Sequence, residues 1–123
     1  NLIANSDWES IAITAKNLGE SISADGIIAV TRTGATANYI SNAKPLNMPI
    51  FTFTNNKTTL HQLSLVGSTQ SYFISRLNDH KKTLLYVKKE LKKYFKNKKN
   101  LKFVMVSGIF SEEHSEAIQI INF

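Results

Sequence analysis

Hydroxyl side chains cluster around one glycine in residues 27–45, IIAVTRTGATANYISNAKP, directly after an apolar run. Free backbone N–H groups at the start of a helix bind anions, and a glycine lets an anion approach the backbone closely. Hydroxyl groups and an arginine add further donors and a counter-charge. The stretch therefore predicts an anion pocket, most plausibly for phosphate, whose residues are Thr31, Arg32, Thr33, Gly34 and Thr36.

The same stretch also fits a purely structural role. In that interpretation Thr33 only caps the next helix and Gly34 only makes a turn. Residue types alone do not decide between the two.

Other catalytic or metal-binding patterns are missing from the sequence. His61, His80 and His114 form no metal-ligand spacing with one another or with a carboxylate. Ser107-Gly108 lacks the Gly-x-Ser-x-Gly pattern of a nucleophile elbow, and neither the phosphate-loop nor the dinucleotide glycine pattern occurs. We therefore expect no metal site and no stand-alone enzyme.

Length and composition favour one globular domain over residues 1–123. The sequence has no cysteine, which rules out disulfides and thiolate metal sites and is compatible with a reducing compartment. It contains no apolar run of the roughly 20 residues that span a bilayer, and its start does not resemble a signal peptide. A cytoplasmic location is the expectation.

The basic charge of the chain is local. The net charge is +6, but residues 79–102 hold ten lysines against Asp79 and Glu90, which gives +8 there and 6 − 8 = −2 for the rest. One surface can carry this charge, so the basic composition says little about the rest of the domain.

The lysine-rich segment allows a second class of function. Lysines at helical spacing could face RNA or an anionic membrane, in two rows: Lys81, Lys88, Lys92 and Lys96, or Lys82, Lys89 and Lys93. The simpler interpretation is a solvated face, because the apolar stripe of the same helix belongs to the core and no aromatic residue stands clearly among the exposed lysines for base stacking.

Hydrophobic periodicity predicts nine elements in the order α β α β α β α β β. The first helix begins at a Ser6–Glu9 capping box and has its apolar face on Trp8, Ile11, Ala12, Ala15, Leu18 and Ile22. Residues 1–5 are read as a frayed tail or a linker remnant. The other predicted elements are a strand at 27–30, a helix at 33–42, a strand at 49–54, a helix at 55–66, a strand at 69–75, a helix at 79–98, and strands at 101–107 and 117–123.

This order predicts an α/β fold, a three-layer α/β/α sandwich around a five-stranded, mostly parallel sheet. The continuous apolar run at 27–30 is typical of a strand that is buried on both faces. The last connection is too short for a crossover helix, so the last strand is expected to run antiparallel. Ligands in such sheets sit beyond the carboxyl ends of the strands, which is where the hydroxyl cluster lies.

Several segments together resemble the C-terminal domain of pyruvate kinase: ESIAITAKNL, IIAVTRTGATANYIS, PIFTFTNNKTTLHQLSL and the terminal strand-loop-strand that begins VMVSG. The resemblance covers nearly the whole chain and is most specific in residues 9–65. The matching positions are Thr31, Thr33, Gly34, Thr36, Pro49, Ile50, Thr54, Asn55, Gln62 and Leu63.

The resemblance implies a regulatory domain. In that family the strand-to-helix turn cradles a phosphate of an allosteric effector, and the domain contributes to the tetramer through helices and its last strand. Transfer of phosphate from phosphoenolpyruvate to ADP, with Mg²⁺ and K⁺, takes place in separate barrel and lid domains. The resemblance therefore implies partners in those catalytic domains and in a homo-oligomer, no cofactor in this domain, and no catalysis by this chain alone.

Two departures from the family pattern concern the second phosphate of a bisphosphate. Ala35 replaces a larger, often basic residue, and the last loop reads IFSEEHSE, which brings negative charge from Glu112, Glu113 and Glu116 and only partial compensation from His114. A bisphosphate, a monophosphate and no effector at all stay open as alternatives. A purely structural oligomerisation domain is the further alternative.

Overall fold

The protein was analysed as a computed structural model, which describes residues 2–31, 35–43, 47–65, 69–75, 79–107 and 117–123, without the side chains of residues 2–8, 35 and 36. Four helices and five strands follow one another in these ranges: α1 Leu2–Ser21, β1 Gly26–Val30, α2 Ala35–Asn42, β2 Ile50–Thr54, α3 Lys57–Ser64, β3 Thr69–Phe73, α4 His80–Tyr94, β4 Lys102–Ser107 and β5 Ala117–Asn122. The predicted element order is confirmed.

The five strands form one sheet in the spatial order β3-β2-β1-β4-β5. β1 pairs in parallel with β2 and with β4, and β2 pairs in parallel with β3. β5 runs antiparallel to β4, with Ser107 opposite Ala117. The predicted fold, a mostly parallel sheet with an antiparallel last strand, is therefore confirmed.

Helices cover both faces of the sheet, but unequally. On one face, α1, α2 and α3 bury small and aliphatic side chains against the strands, among them Ala12, Ala15, Ala37, Ile40 and Leu63. On the other face α4 is the one helix within the described ranges, and its Val87 and Leu91 pack on an aromatic layer that includes Phe51, Phe53 and Phe103. β1 and β2 are buried at every residue, and for β1 this confirms what its continuous apolar run predicted.

The start of α1 differs from the prediction. The helix begins at Leu2, so Ser6 lies inside it and is not its cap, and residues 2–5 are helical and not a frayed tail. Leu and Ala at positions 2 and 4 are strong helix formers, which favours continuation through Ser6. The predicted apolar face of α1 is confirmed for the side chains that the structure describes. Ala12 and Ala15 are buried, and Ile11, Leu18 and Ile22 are half-buried.

The end of α4 also differs from the prediction. Asp79 caps the helix by accepting a hydrogen bond from the Lys82 backbone N–H at 3.1 Å, but the helix ends at Tyr94 and not near residue 98 as predicted. The chain then folds back, and the Lys98 N–H donates to the Phe95 carbonyl at 3.2 Å. Tyr94, the last residue of the helix, is 47% exposed, while its ring edge still contacts Phe51.

Asp25 ties this fold-back to the start of the sheet. Its backbone N–H donates to the Lys102 carbonyl at 2.7 Å, and its Oδ2 accepts from the Lys102 N–H at 2.9 Å. Its Oδ1 accepts from the Lys98 ammonium group. Three contacts thus hold the segment between α4 and β4 against the amino-terminal end of β1.

Candidate functional site

Three hydroxyl residues meet at the carboxyl edge of the parallel strands. Thr31 directly follows β1, Thr54 ends β2 and Ser107 ends β4, and all three are buried. The Thr31 N–H donates to the Phe53 carbonyl at 2.9 Å, and Val30 stands opposite Ser107 in the sheet register. Because neighbouring strands lie about 4.8 Å apart, the three residues form a short row across this edge.

The first turn of α3 adds a capped helix start to the same edge. Asn56 is its N-cap and accepts from the Thr59 N–H at 3.0 Å, while the Asn56 N–H donates to Thr54 Oγ1 at 3.2 Å. Lys57 opens the helix, and its ammonium nitrogen lies 5.7 Å from the ring centre of Phe73. A lysine therefore opens α3, three residues after Thr54 of the hydroxyl row.

The predicted phosphate residues are only partly within the described structure. Thr31 lies at the carboxyl end of β1, as predicted. Thr36 lies in the first turn of α2, with its side chain outside the description. Arg32, Thr33 and Gly34 lie outside the described residues, as do the carboxylates and His114 of the loop that precedes β5.

Thr54 and Ser107 were not among the residues predicted to bind phosphate. Their signal was present in the sequence, because each ends an apolar strand, but their position beside Thr31 depends on the strand order β2-β1-β4. Hydroxyl donors, backbone amides at the start of α2 and a nearby lysine are suited to binding an anion. They do not form a nucleophile-and-base arrangement.

The titrating groups with shifted pKa values lie away from this edge. Burial, and then the charge of Glu90, raise the pKa of Tyr72 and the pKa of Tyr86 above the usual tyrosine value. Both phenols therefore stay protonated near neutral pH. Across the described ranges, no three His, Asp or Glu residues are grouped so that they could hold a metal ion.

The hydropathy of the helices gives no sign of a bilayer span. No helix in the described part of the chain is both long and apolar enough to cross a membrane.

Comparison with known proteins gives one family. The family model "Pyruvate kinase, alpha/beta domain" matches residues 9–121. A search of curated proteins found no match.

Solved structures of similar fold include pyruvate kinases of Cryptosporidium parvum. One crystal structure superposes with a TM-score of 0.81 at 20% identity, over 94% of this chain and 22% of that one. A second gives 0.80 at 19% identity over the same shares, and a complex with ADP gives 0.75 at 20% identity, over 94% and 23%. This likeness is one of fold.

The chain spans less than a quarter of the length of those enzymes, 22–23%. The family match, in contrast, extends over all five strands up to Ile121, and the order and direction of those strands agree with it. The chain therefore belongs to the family of pyruvate kinase α/β domains, the C-terminal domains of those enzymes.

Proposed function

We propose that this chain is the regulatory and subunit-interface domain of a pyruvate kinase, the cytoplasmic glycolytic enzyme that transfers phosphate from phosphoenolpyruvate to ADP. Residues 1–123 would form one such domain, without the catalytic barrel and lid that use Mg²⁺ and K⁺. An effector that binds one arrangement of the domains more tightly would shift the enzyme toward that arrangement. The chain alone would not catalyse the reaction.

The observation that carries the effector proposal is the buried hydroxyl row at the carboxyl edge of the sheet. Thr31 opens the turn in which Arg32, Thr33, Gly34 and Thr36 would supply hydroxyl, amide and guanidinium donors. Thr54 and Ser107 flank it on the neighbouring strands. A phosphate at the start of α2 would also gain from the positive end of the helix dipole.

The effector proposal is tested by calorimetric titration of the chain with fructose 1,6-bisphosphate, ribose 5-phosphate, glucose 6-phosphate and AMP, with sulfate as a control anion. We expect saturable binding of one of these phosphates. Gly34→Glu should weaken it by a factor on the order of 100 or more, because a carboxylate a few ångströms from the phosphate repels it and fills its space.

Asn42→Glu is the matched control for this titration. It adds the same charge at an exposed residue at the far end of α2, about 10 Å along the helix from its first residue, Ala35. Binding that survives in Asn42→Glu and is lost in Gly34→Glu supports the effector site. Absence of binding by all four phosphates to the unaltered chain would reject the effector role for the chain on its own.

The assembly role is supported by the edge strand β5. Ile118 packs on the aliphatic core, but Ile120 on the same face is 48% exposed. Within the described chain β5 has β4 as its neighbour on one side only, so its other edge is open to a second copy.

The assembly role predicts a concentration-dependent dimer in sedimentation velocity, weakened at least tenfold by Ile120→Lys. A charge at this position would have to be buried without a partner in a two-fold contact. Gln119→Lys, at an exposed neighbour on the opposite face of the strand, is the control. A chain that sediments as a monomer at all concentrations would contradict this role.

The alternative partners, RNA or an anionic membrane at residues 79–98, have weaker support. The buried Val87 and Leu91 of α4 pack on the sheet. Tyr94 is exposed, yet its ring edge packs on Phe51 with 4.9 Å between the ring centres. Binding to RNA that falls steeply between about 50 and 200 mM salt would favour this alternative.

A further inference from the structure

A cavity with several lysines on its rim lies where α4 ends and the chain folds back toward β4. Its volume is about 350 Å³. Lys92, Lys96, Lys98 and Lys99 line it together with Phe95 and Phe123, and Leu101 and Asn100 complete the wall. We call it the lysine pocket.

Most of the positive charge in the lysine pocket is not neutralised by the described residues. Lys98 is paired with Asp25, and on the nearby surface of α4 Lys93 pairs with Glu90 at 3.5 Å. Lys92, Lys96 and Lys99 make no ion pair with a carboxylate in the described ranges of the chain. Three ammonium groups therefore share one small concavity, and their mutual repulsion would be relieved by a bound anion.

The end of α4 weakens this positive field but does not cancel it. The carbonyl groups of the last turn carry a charge of roughly −0.5 in total, against three unpaired ammonium groups. The net field of the pocket is therefore positive, and it favours a ligand with more than one negative charge.

The floor of the lysine pocket is held in place by the aromatic core. The rings of Phe95 and Phe103 lie 5.8 Å apart, and those of Phe103 and Phe123 lie 5.7 Å apart. Leu101 is only 2% exposed, and its carbonyl accepts from the Phe123 N–H at 2.9 Å. The concavity is thus formed by packed residues, and only the lysine side chains must order when a ligand binds.

We propose that the lysine pocket binds a small molecule that carries two or more phosphate groups. Its volume lies near the lower end of the range for small-molecule pockets, roughly 300–1,000 Å³, which fits a compact polyphosphate. The three unpaired lysines supply the counter-charges, and the aromatic floor offers a contact surface for a ring attached to the phosphates.

This site is separate from the proposed effector site. The lysine pocket lies at the amino-terminal edge of the parallel strands, beside Asp25 and Leu101, whereas Thr31 lies at the carboxyl edge. The five residues of β1 separate the two edges by about 16 Å. The two proposals can therefore fail independently.

The test is a calorimetric titration of the chain with inorganic tripolyphosphate and, separately, with adenosine triphosphate in the absence of divalent metal ions. We expect saturable 1:1 binding of tripolyphosphate. Tighter binding of adenosine triphosphate would mean that the aromatic floor contacts the base, and equal or weaker binding would limit recognition to the phosphates; both outcomes support the pocket.

The variant Lys96→Gln/Lys99→Gln should weaken tripolyphosphate binding by up to about 25-fold, since each exposed charge contact contributes up to about fivefold. The control variant Lys81→Gln/Lys82→Gln removes the same charge from the start of α4, about 16 Å along the helix from Lys92 of the pocket. All four side chains are exposed, so both variants are expected to fold like the parent chain, which circular dichroism checks.

Three results would overturn the proposal. The first is no saturable binding of tripolyphosphate to the unaltered chain. The second is equal weakening in the two double variants, which would mean that binding follows net charge and not this pocket. The third is loss of tripolyphosphate binding in Gly34→Glu, which would assign the anion to the carboxyl edge instead.

Discussion

Replacing Phe51 by alanine is expected to lower the free energy of unfolding by about 3–5 kcal/mol. Phe51 is fully buried in the inner strand β2, where its ring contacts those of Tyr94, Phe95 and Phe103 edge to face, with ring centres 4.9, 5.8 and 6.1 Å apart. Alanine would leave a cavity between the sheet and α4, the one helix that the described part of the chain places on that face. The loss would be a large part of the stability of a domain of this size.

Urea unfolding followed by circular dichroism measures this effect. Leu85→Ala on α4 is the control, because Leu85 is 67% exposed and its removal should change stability by less than about 0.5 kcal/mol. A loss below about 1 kcal/mol for Phe51→Ala would contradict the packing described for this face.

The second large effect is expected at Gly26, the first residue of β1. A Cβ at this position would lie 2.7 Å from Phe51 Cε2 and 2.9 Å from the Pro49 carbonyl oxygen. That carbonyl accepts the Ile27 N–H at 3.0 Å, so the backbone cannot move away without weakening the pairing of β1 and β2. Gly26→Ala should therefore destabilise the protein by about 1–3 kcal/mol through overpacking.

Gly19→Ala is the matched comparison for this effect. A Cβ at Gly19 would lie 2.8 Å from Met48 Sδ, the far end of a flexible side chain that can adopt another rotamer. Alanine also raises helix propensity inside α1 by up to about 1 kcal/mol. Thermal unfolding should separate the two variants clearly, and equal melting temperatures would contradict the assignment of a rigid contact at Gly26.

Much of the fold could be predicted from the sequence because strands that are buried on both faces are apolar at every position. The runs at 27–30 and 103–106 are apolar at every position, which few structures other than the centre of a parallel sheet require. The end of α4 was harder to predict. Lysines have high helix propensity, so the pattern ran on to residue 98, whereas the contacts of Asp25 hold Lys98 and Lys102 in the fold-back.

The residues of the candidate sites also differ in whether the sequence could predict them. Thr31 was predicted because it follows a strand within one continuous stretch of chain. Thr54 and Ser107 join it only through the order of the strands. The lysine pocket combines the end of α4 with Leu101, which precedes β4, and Phe123, which follows β5. The spacing of residues along the chain predicts which side chains are neighbours on one helix or turn. It does not predict a site that is assembled from distant segments.

The pairing of β1 with β4 has a consequence for how the protein folds. Asp25 and Lys102 stand 77 residues apart in the chain, and every element from α2 to α4 lies between them. During synthesis, at roughly 5–20 residues per second, β1 and β2 are exposed for several seconds with one sheet edge open before β4 leaves the ribosome. Contacts of such long range slow folding. The centre of the sheet is therefore completed late, and the unpaired edge of β1 is the surface most open to aggregation in the meantime.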